Sequence, residues 1–291
     1  MEKREKYTLL LHDRAIQLGA RTCIMGILNV TPDSFSDGGK YFDPDQAIRR
    51  ACQMAEEGAD IIDIGAESTR PGSVPVPAEE EIRRILPLVE HLRREVSVPL
   101  SIDTYKAQVA EALLDRGVHL INDISGLRFD PAMAGVVARY NAAVALMHIQ
   151  GTPRDMQKNP SYQHLLPEIT AYLRQSIDLA VAAGIRPERI MVDPGLGFGK
   201  TLLHNLEIIQ KLDEFQSLDK PILFGPSRKS FIGKILDLPV EDRLEGTAAV
   251  VAAGIMHGAH LVRVHDVRAM VRVARMVDAI MDPLAITPHH E

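Results

Sequence analysis

Eight times along this chain a short apolar run ends in a polar residue and gives way to a segment with helical spacing. The runs end at Asn29, Asp63, Asp103, Asn122, His148, Asp193, Ser227 and Arg263. Strands that read as continuous Val/Ile/Leu runs, without polar alternation, are buried on both faces, as in a parallel sheet covered by its crossover helices. Eight such units in succession predict the α/β class and a single (β/α)8 TIM barrel, in which the C-terminal ends of the strands share one mouth and the active site lies there. The eight polar residues are therefore candidates for one site.

The predicted strands are 23–29, 60–65, 99–103, 119–124, 143–148, 190–193, 221–225 and 261–265. The helices that follow them are 44–57, 78–95, 105–116, 131–139, 161–183, 202–213, 241–257 and 267–281. Helical spacing puts Ile82, Ile85, Leu86, Val89 and Leu92 on one face, and likewise Met270, Val273, Ala274, Val277 and Ile280. Residues 1–22 carry the turn signals Asp13-Arg14 and Gly19-Ala20 and predict a short hairpin closing the bottom of the barrel. The barrel itself occupies 23–281 and a tail 282–291; at 291 residues and 46% hydrophobic content one such domain accounts for the chain. Three connections, 30–43, 66–77 and 149–160, are long and rich in Gly, Pro and Ser, and all follow strand C-termini, where long loops serve as lids or binding loops.

Lys and Arg number 33 against 39 Asp and Glu, a formal charge of −6, which argues against nucleic acid or an anionic membrane as partner. Cys23 and Cys52 read as buried small hydrophobes in a reducing compartment. The N-terminus has only a three-residue apolar run between charges, unlike a signal peptide, and the apolar stretch 248–256 is too short to span a bilayer. A cytoplasmic protein is expected.

Several strand ends carry chemistry. FGPSRKSFIG at 224–233 sets Ser227, Arg228, Lys229 and Ser230 after the seventh strand, and the eighth delivers Arg263 and His265. Barrels often bind phosphate after strands 7 and 8, and these residues together predict an anion clamp. GLGFGKT at 195–201 is not a nucleotide P-loop: three residues, not four, separate Gly195 from Gly199, and Pro194 stands where the first Gly is required. It reads as the loop after strand 6, with Phe198 as an apolar wall. Asp103, Asn122 and Asp193 supply acceptors and an amide suited to a flat guanine-like or pterin ring. Asn29 is an oxygen ligand for a hard cation such as Mg²⁺, which takes few protein ligands beside substrate phosphates. His148 reads as readily as a structural hydrogen-bonding group as a catalytic one. Zinc spacing and a serine nucleophile elbow are both absent from the sequence.

These residues carry a resemblance. From about residue 22 to 281 the chain resembles the dihydropteroate synthase family: NVTPDSFSDGG at 29–39, GAESTRPG at 65–72, SIDT at 101–104, NDISG at 122–126, MHIQGTPRDMQ at 147–157, VDPGLGFGK at 192–200, SRKS at 227–230 and RVHD at 263–266. The resemblance implies a transferase of folate biosynthesis that joins 6-hydroxymethyl-7,8-dihydropterin diphosphate to p-aminobenzoate, releasing diphosphate with Mg²⁺ assistance, and that is a sulfonamide target. It implies that Asp103, Asn122, Asp193 and Lys229 hold the pterin and that Thr69 touches it. Arg70, Arg263 and His265 would hold diphosphate, and Asn29 would meet the metal. Phe35, Pro71, Phe198 and Ser230 would shape the p-aminobenzoate pocket. A homodimer is implied as well. A pterin-binding methyltransferase barrel shares the acid/amide trio but has no need of SRKS with RVHD; a non-catalytic paralogue is disfavoured by the intact motifs of loops 1, 2 and 7.

Overall fold

The computed structural model describes residues 4–31, 44–70 and 72–285. A hairpin of β1 (Tyr7–Leu10) and β2 (Ala15–Leu18) comes first. The first half of the barrel follows as β3 (Cys23–Asn29), α1 (Pro44–Glu56), β4 (Ile61–Gly65), α2 (Ala78–Glu95), β5 (Leu100–Asp103), α3 (Ala107–Leu114), β6 (Leu120–Asp123) and α4 (Met133–Arg139). The second half is β7 (Ala143–Met147), α5 (Leu165–Ala182), β8 (Ile190–Asp193), α6 (Leu202–Gln210), β9 (Leu223–Phe224), α7 (Ser230–Leu236), α8 (Leu244–Met256), β10 (Leu261–Val264) and α9 (Val267–Met281). Strands β3 to β10 form one parallel sheet in the order β8-β7-β6-β5-β4-β3-β10-β9, and a parallel bridge from Val192 to Ile222 joins its two edges into a barrel.

Alternation along each strand sorts the core into two layers. Ile24, Ile62, Ile64, Ile102, Ile121 and Val262 face the helices in the larger cluster. Met25, Ile61, Leu120, Ala145, Met191, Leu223 and Leu261 fill the barrel's lower interior, and Leu9, Leu11 and Leu18 of the hairpin segment pack against them from below. Each such leucine contributes roughly 1.5–3 kcal/mol by burial, enough for a hairpin of two four-residue strands to hold as a plug. Two histidines complete this end. His119 Nδ1 accepts from the backbone N–H of Leu100 at 3.2 Å, and His260 Nδ1 accepts from that of Ile222 at 3.1 Å. His260 Nε2 donates to the carbonyl of Glu5 at 3.1 Å. Burial pushes both imidazoles down to about 4, so they stay neutral and keep accepting.

The structure departs from expectation mainly after strand 6. The segment expected as helix to residue 213 closes with a 3-10 turn at Leu212–Leu218. The seventh strand shrinks to Leu223–Phe224 between Pro221 and Pro226, neither of which can donate to the ladder. A further helix, α7, opens directly after Lys229. Among the described residues no helix is long and apolar enough to cross a membrane.

Candidate active site

At the mouth, Arg263 lies between two carboxylates. Its Nε donates to Asp63 Oδ2 at 2.6 Å and its Nη2 to Asp103 Oδ2 at 2.7 Å. Asn122 Nδ2 donates to the same Asp63 oxygen at 3.1 Å. Four strands thus converge: β4, β5, β6 and β10. A Cβ added at Gly65 would lie 3.3 Å from that of Asp103, so the glycine leaves room for the acid wall. Burial raises the Asp103 carboxyl to about 7; Arg263 opposes that rise and Asp63 adds to it. The Arg263 guanidinium thus faces two acids, and the pairing offsets the cost of burying all three charges.

The loop after β8 forms the opposite wall. Asp193 Oδ1 accepts from the N–H of Gly195 at 2.7 Å, and burial raises its carboxyl. Gly195 has φ +70 and a Cβ there would sit 2.0 Å from the carbonyl oxygen of His148, so only glycine makes this turn. Lys229 Nζ rests 4.2 Å from the centroid of the Phe198 ring, and burial lowers it to about 8 while Asp193 pulls it back up. Lys200, buried and absent from the expected set, lies 2.9 Å from His148 Nδ1 and donates to the Phe198 carbonyl at 3.0 Å. Burial, then the Lys200 charge, drive His148 down to about 2; it is a neutral support for loop 6. VDPGLGFGK already contained Lys200, but a lysine in a glycine-rich loop reads as solvated unless its burial is known.

On the anion side, Ser227 Oγ accepts from the His265 N–H at 3.2 Å and lies 2.9 Å from its Nδ1. Burial, with Arg263 and Arg228, holds His265 down at about 3, so its ring is neutral rather than a cation. Arg228, at φ +56, turns to Asp266 and makes paired bonds of 3.0 and 2.6 Å. It braces loops 7 and 8 and leaves Lys229 to the mouth. Asn29 ends β3 beside Gly65; Thr69 is half-buried, and Arg70 and Ser230 are exposed. Phe35 and Pro71 lie outside the described residues.

Loop 66–77, expected as a lid or binding loop, has an anchor that the sequence did not reveal. Glu67 accepts from Tyr105 OH at 2.8 Å and from the N–H of Val76 at 2.8 Å, and pairs with Lys106, which also pairs with buried Glu81. Gly72 N–H reaches the Pro153 carbonyl at 3.0 Å, linking loops 2 and 5. At the opposite end of the barrel, His12, Asp13 and His119 gather within 4.8 Å. His119 Nδ1 already accepts from Leu100, so its Nε2 carries the proton and faces Asp13 at 3.5 Å. That tautomer suits a hydrogen bond and not a metal.

Comparison with known proteins identifies the family. Residues 25–265 match the family described as "Pterin binding enzyme". The chain is 46% identical over 285 residues to the dihydropteroate synthase of Bacillus subtilis (strain 168), covering 97% of each. It superposes on a Clostridium difficile dihydropteroate synthase solved in the presence of pteroic acid, with a TM-score of 0.86, 48% identity, and 90% and 98% of the two chains covered. A Xanthomonas albilineans dihydropteroate synthase solved with 4-aminobenzoic acid gives a TM-score of 0.89 at 38% identity, covering 97% and 100%.

Proposed function

The chain belongs to the dihydropteroate synthase family of pterin-binding enzymes, and from that membership we propose how its mouth joins 6-hydroxymethyl-7,8-dihydropterin diphosphate to 4-aminobenzoate. The observation that carries the assignment of roles is the convergence of Asp103, Asn122, Asp193 and Lys229 around Arg263. Carboxylates accept from ring N–H and amino groups, the Asn122 amide pairs with a mixed edge, and Lys229 donates to a ring carbonyl or nitrogen. Thr69 meets the pterin, and Phe198 and Ser230 border the place where the second substrate enters.

In the reaction the methylene carbon–oxygen bond breaks, its electron pair leaves with diphosphate, and the aniline nitrogen forms the new carbon–nitrogen bond and then releases one proton. Charge spreads into the dihydropterin as the bond breaks, so Asp103 and Asp193 stabilise the ring side. Arg70, His265 and Arg263 stabilise the departing anion. His265 is suited to this role because an arriving diphosphate supplies the counter-charge it lacks and draws a proton onto its ring. The donor set also suits Mg²⁺: Asn29 offers a hard neutral oxygen beside the diphosphate groups, and the ion would add charge stabilisation to the leaving group. The protein is proposed to act as a homodimer.

The test is to mix protein, Mg²⁺, the dihydropterin diphosphate and 4-aminobenzoate and to detect 7,8-dihydropteroate. Product that requires both substrates supports the reading; none at any Mg²⁺ concentration overturns it.

A further inference from the structure

Asp63 is fully buried and cannot meet a ligand in the mouth directly. It nevertheless controls a residue that can. A carboxylate only accepts hydrogen bonds, so the Asn122 atom 3.1 Å from Asp63 Oδ2 must be the amide nitrogen. The second N–H of Asn122 and its Oδ1 acceptor are then left for a ring edge in a fixed order. A carboxamide has almost the same shape when rotated by half a turn, so its partner alone decides that order. Asp63 is held in its turn by Arg263 Nε at 2.6 Å on the same oxygen, and Arg263 is held by Asp103 at 2.7 Å. Asp63 Oδ1 has no partner among the described residues, so its hydrogen bonding runs through Oδ2.

We propose that Asp63 is a specificity-determining positioning residue, which fixes the sense of the Asn122 amide and thereby makes the mouth select 2-amino-4-oxopteridine rings over 2,4-dioxopteridine rings. The inference rests on the pterin reading above. In the amino ring an acceptor nitrogen, N1, adjoins a donor amino group. The dioxo ring presents the reverse, an N1–H donor beside a carbonyl acceptor. An amide locked in one sense matches the first and opposes the second, whereas an unlocked amide turns to suit either.

The experiment is calorimetric titration of wild type, Asp63→Asn and Asp63→Leu with 6-hydroxymethylpterin and 6-hydroxymethyllumazine, after thermal unfolding confirms that each variant is folded. Wild type is expected to prefer the pterin by a hundred-fold or more. In Asp63→Asn, Arg263 Nε still demands an oxygen at the Oδ2 position and the new amino group takes the Oδ1 position, so the preference stays within three-fold of wild type. Asp63→Leu has no acceptor and should lose at least ten-fold of the preference; Asp63→Ser, too short to reach Asn122, serves if Leu does not fold. An equal loss of affinity for both rings, a preference unchanged in the Leu or Ser variant, or an Asn variant that behaves like Leu overturns the proposal. Wild type that binds both rings equally overturns it and leaves the pterin reading standing, while wild type that binds neither ring removes both.

Discussion

At the scale of single residues, protonation and hydrogen-bond sense decide what the mouth binds. Asp193 is spent only in part on Gly195, through Oδ1, and in the proposed reading its other oxygen would accept from a ring donor. Asp193→Asn introduces N–H groups where acceptors are needed, and pterin affinity should fall roughly ten- to hundred-fold, the cost of stranding a buried donor at ~1–3 kcal/mol. Titration calorimetry measures it, and an unchanged affinity would leave Asp193 as no more than the cap of its own loop. Asp103 carries a pH signature. Its carboxyl is raised to about 7, and only the ionised form accepts with both oxygens and offsets the ring's developing charge. Affinity for the dihydropterin diphosphate should therefore weaken as pH falls through 7, and Asp103→Asn should bind less tightly with a flatter profile. A profile that Asp103→Asn leaves unchanged would move the titration to another group.

At the scale of elements, the barrel base depends on neutral histidines. The folded values for His119 and His260, about 4, lie below the ordinary 6.5. As pH falls the unfolded chain binds protons first, so the stability these rings contribute is fully present above 6.5 and is lost between 6.5 and 4. The loss approaches roughly 3 kcal/mol for each ring. His148, His204 and His265 act in the same direction, whereas the raised acids oppose it: Asp103 and Asp123 between 3.8 and their folded values of about 7 and about 6, with Asp193 and Glu81, also raised by burial, beside them. The wild-type melting temperature between pH 6.5 and 5 is the balance of these two sets, and removing one imidazole isolates its share. His260→Asn retains an acceptor for the Ile222 N–H without titrating, and its melting temperature should fall less steeply; a slope parallel to wild type would refute the assignment. These histidines also mark the limit of what the sequence disclosed. The bounds of α2, α9 and β3 were legible to the residue, because buried faces leave a pattern in the chain, although Ile280, expected on the buried face of α9, is 52% exposed. The helix α7 was not, since SFIGKIL is short and broken by Gly233, and its stability comes from Phe231 and Ile232 entering the core. The acids at the mouth were legible as strand ends, but Asp63's part in the site was not. Its role exists only through Arg263 and Asn122, which are 200 and 59 residues away in sequence.

At the scale of the whole molecule, exposed apolar residues recur on three helices that pack together. Leu203 on α6 is 73% exposed, and Ile235 and Leu236 on α7 are 51% and 45% exposed. Helix α8, which packs against both, adds Leu244 and Met256 to the exposed apolar residues. Exposed apolar residues on neighbouring helices suit an interface, and a second copy of the chain is the partner the family resemblance implies. These helices also reach the site, because α7 begins at Ser230, directly after Lys229. Its seven residues are too few to hold as an isolated helix, so a partner packed on Ile235 and Leu236 would steady the residues that carry Lys229. Two results should therefore come together. Wild type should sediment as a dimer, and Leu203→Asp combined with Ile235→Asp should sediment as a monomer, because a buried unpaired carboxylate at each site outweighs the apolar burial it replaces. The monomer should also show a higher KM for the dihydropterin diphosphate, as Lys229 loses its brace, while its melting curve stays cooperative. Sedimentation of wild type as a monomer would remove the dimer. A monomeric variant with unchanged KM would keep the dimer and cut its link to the active site.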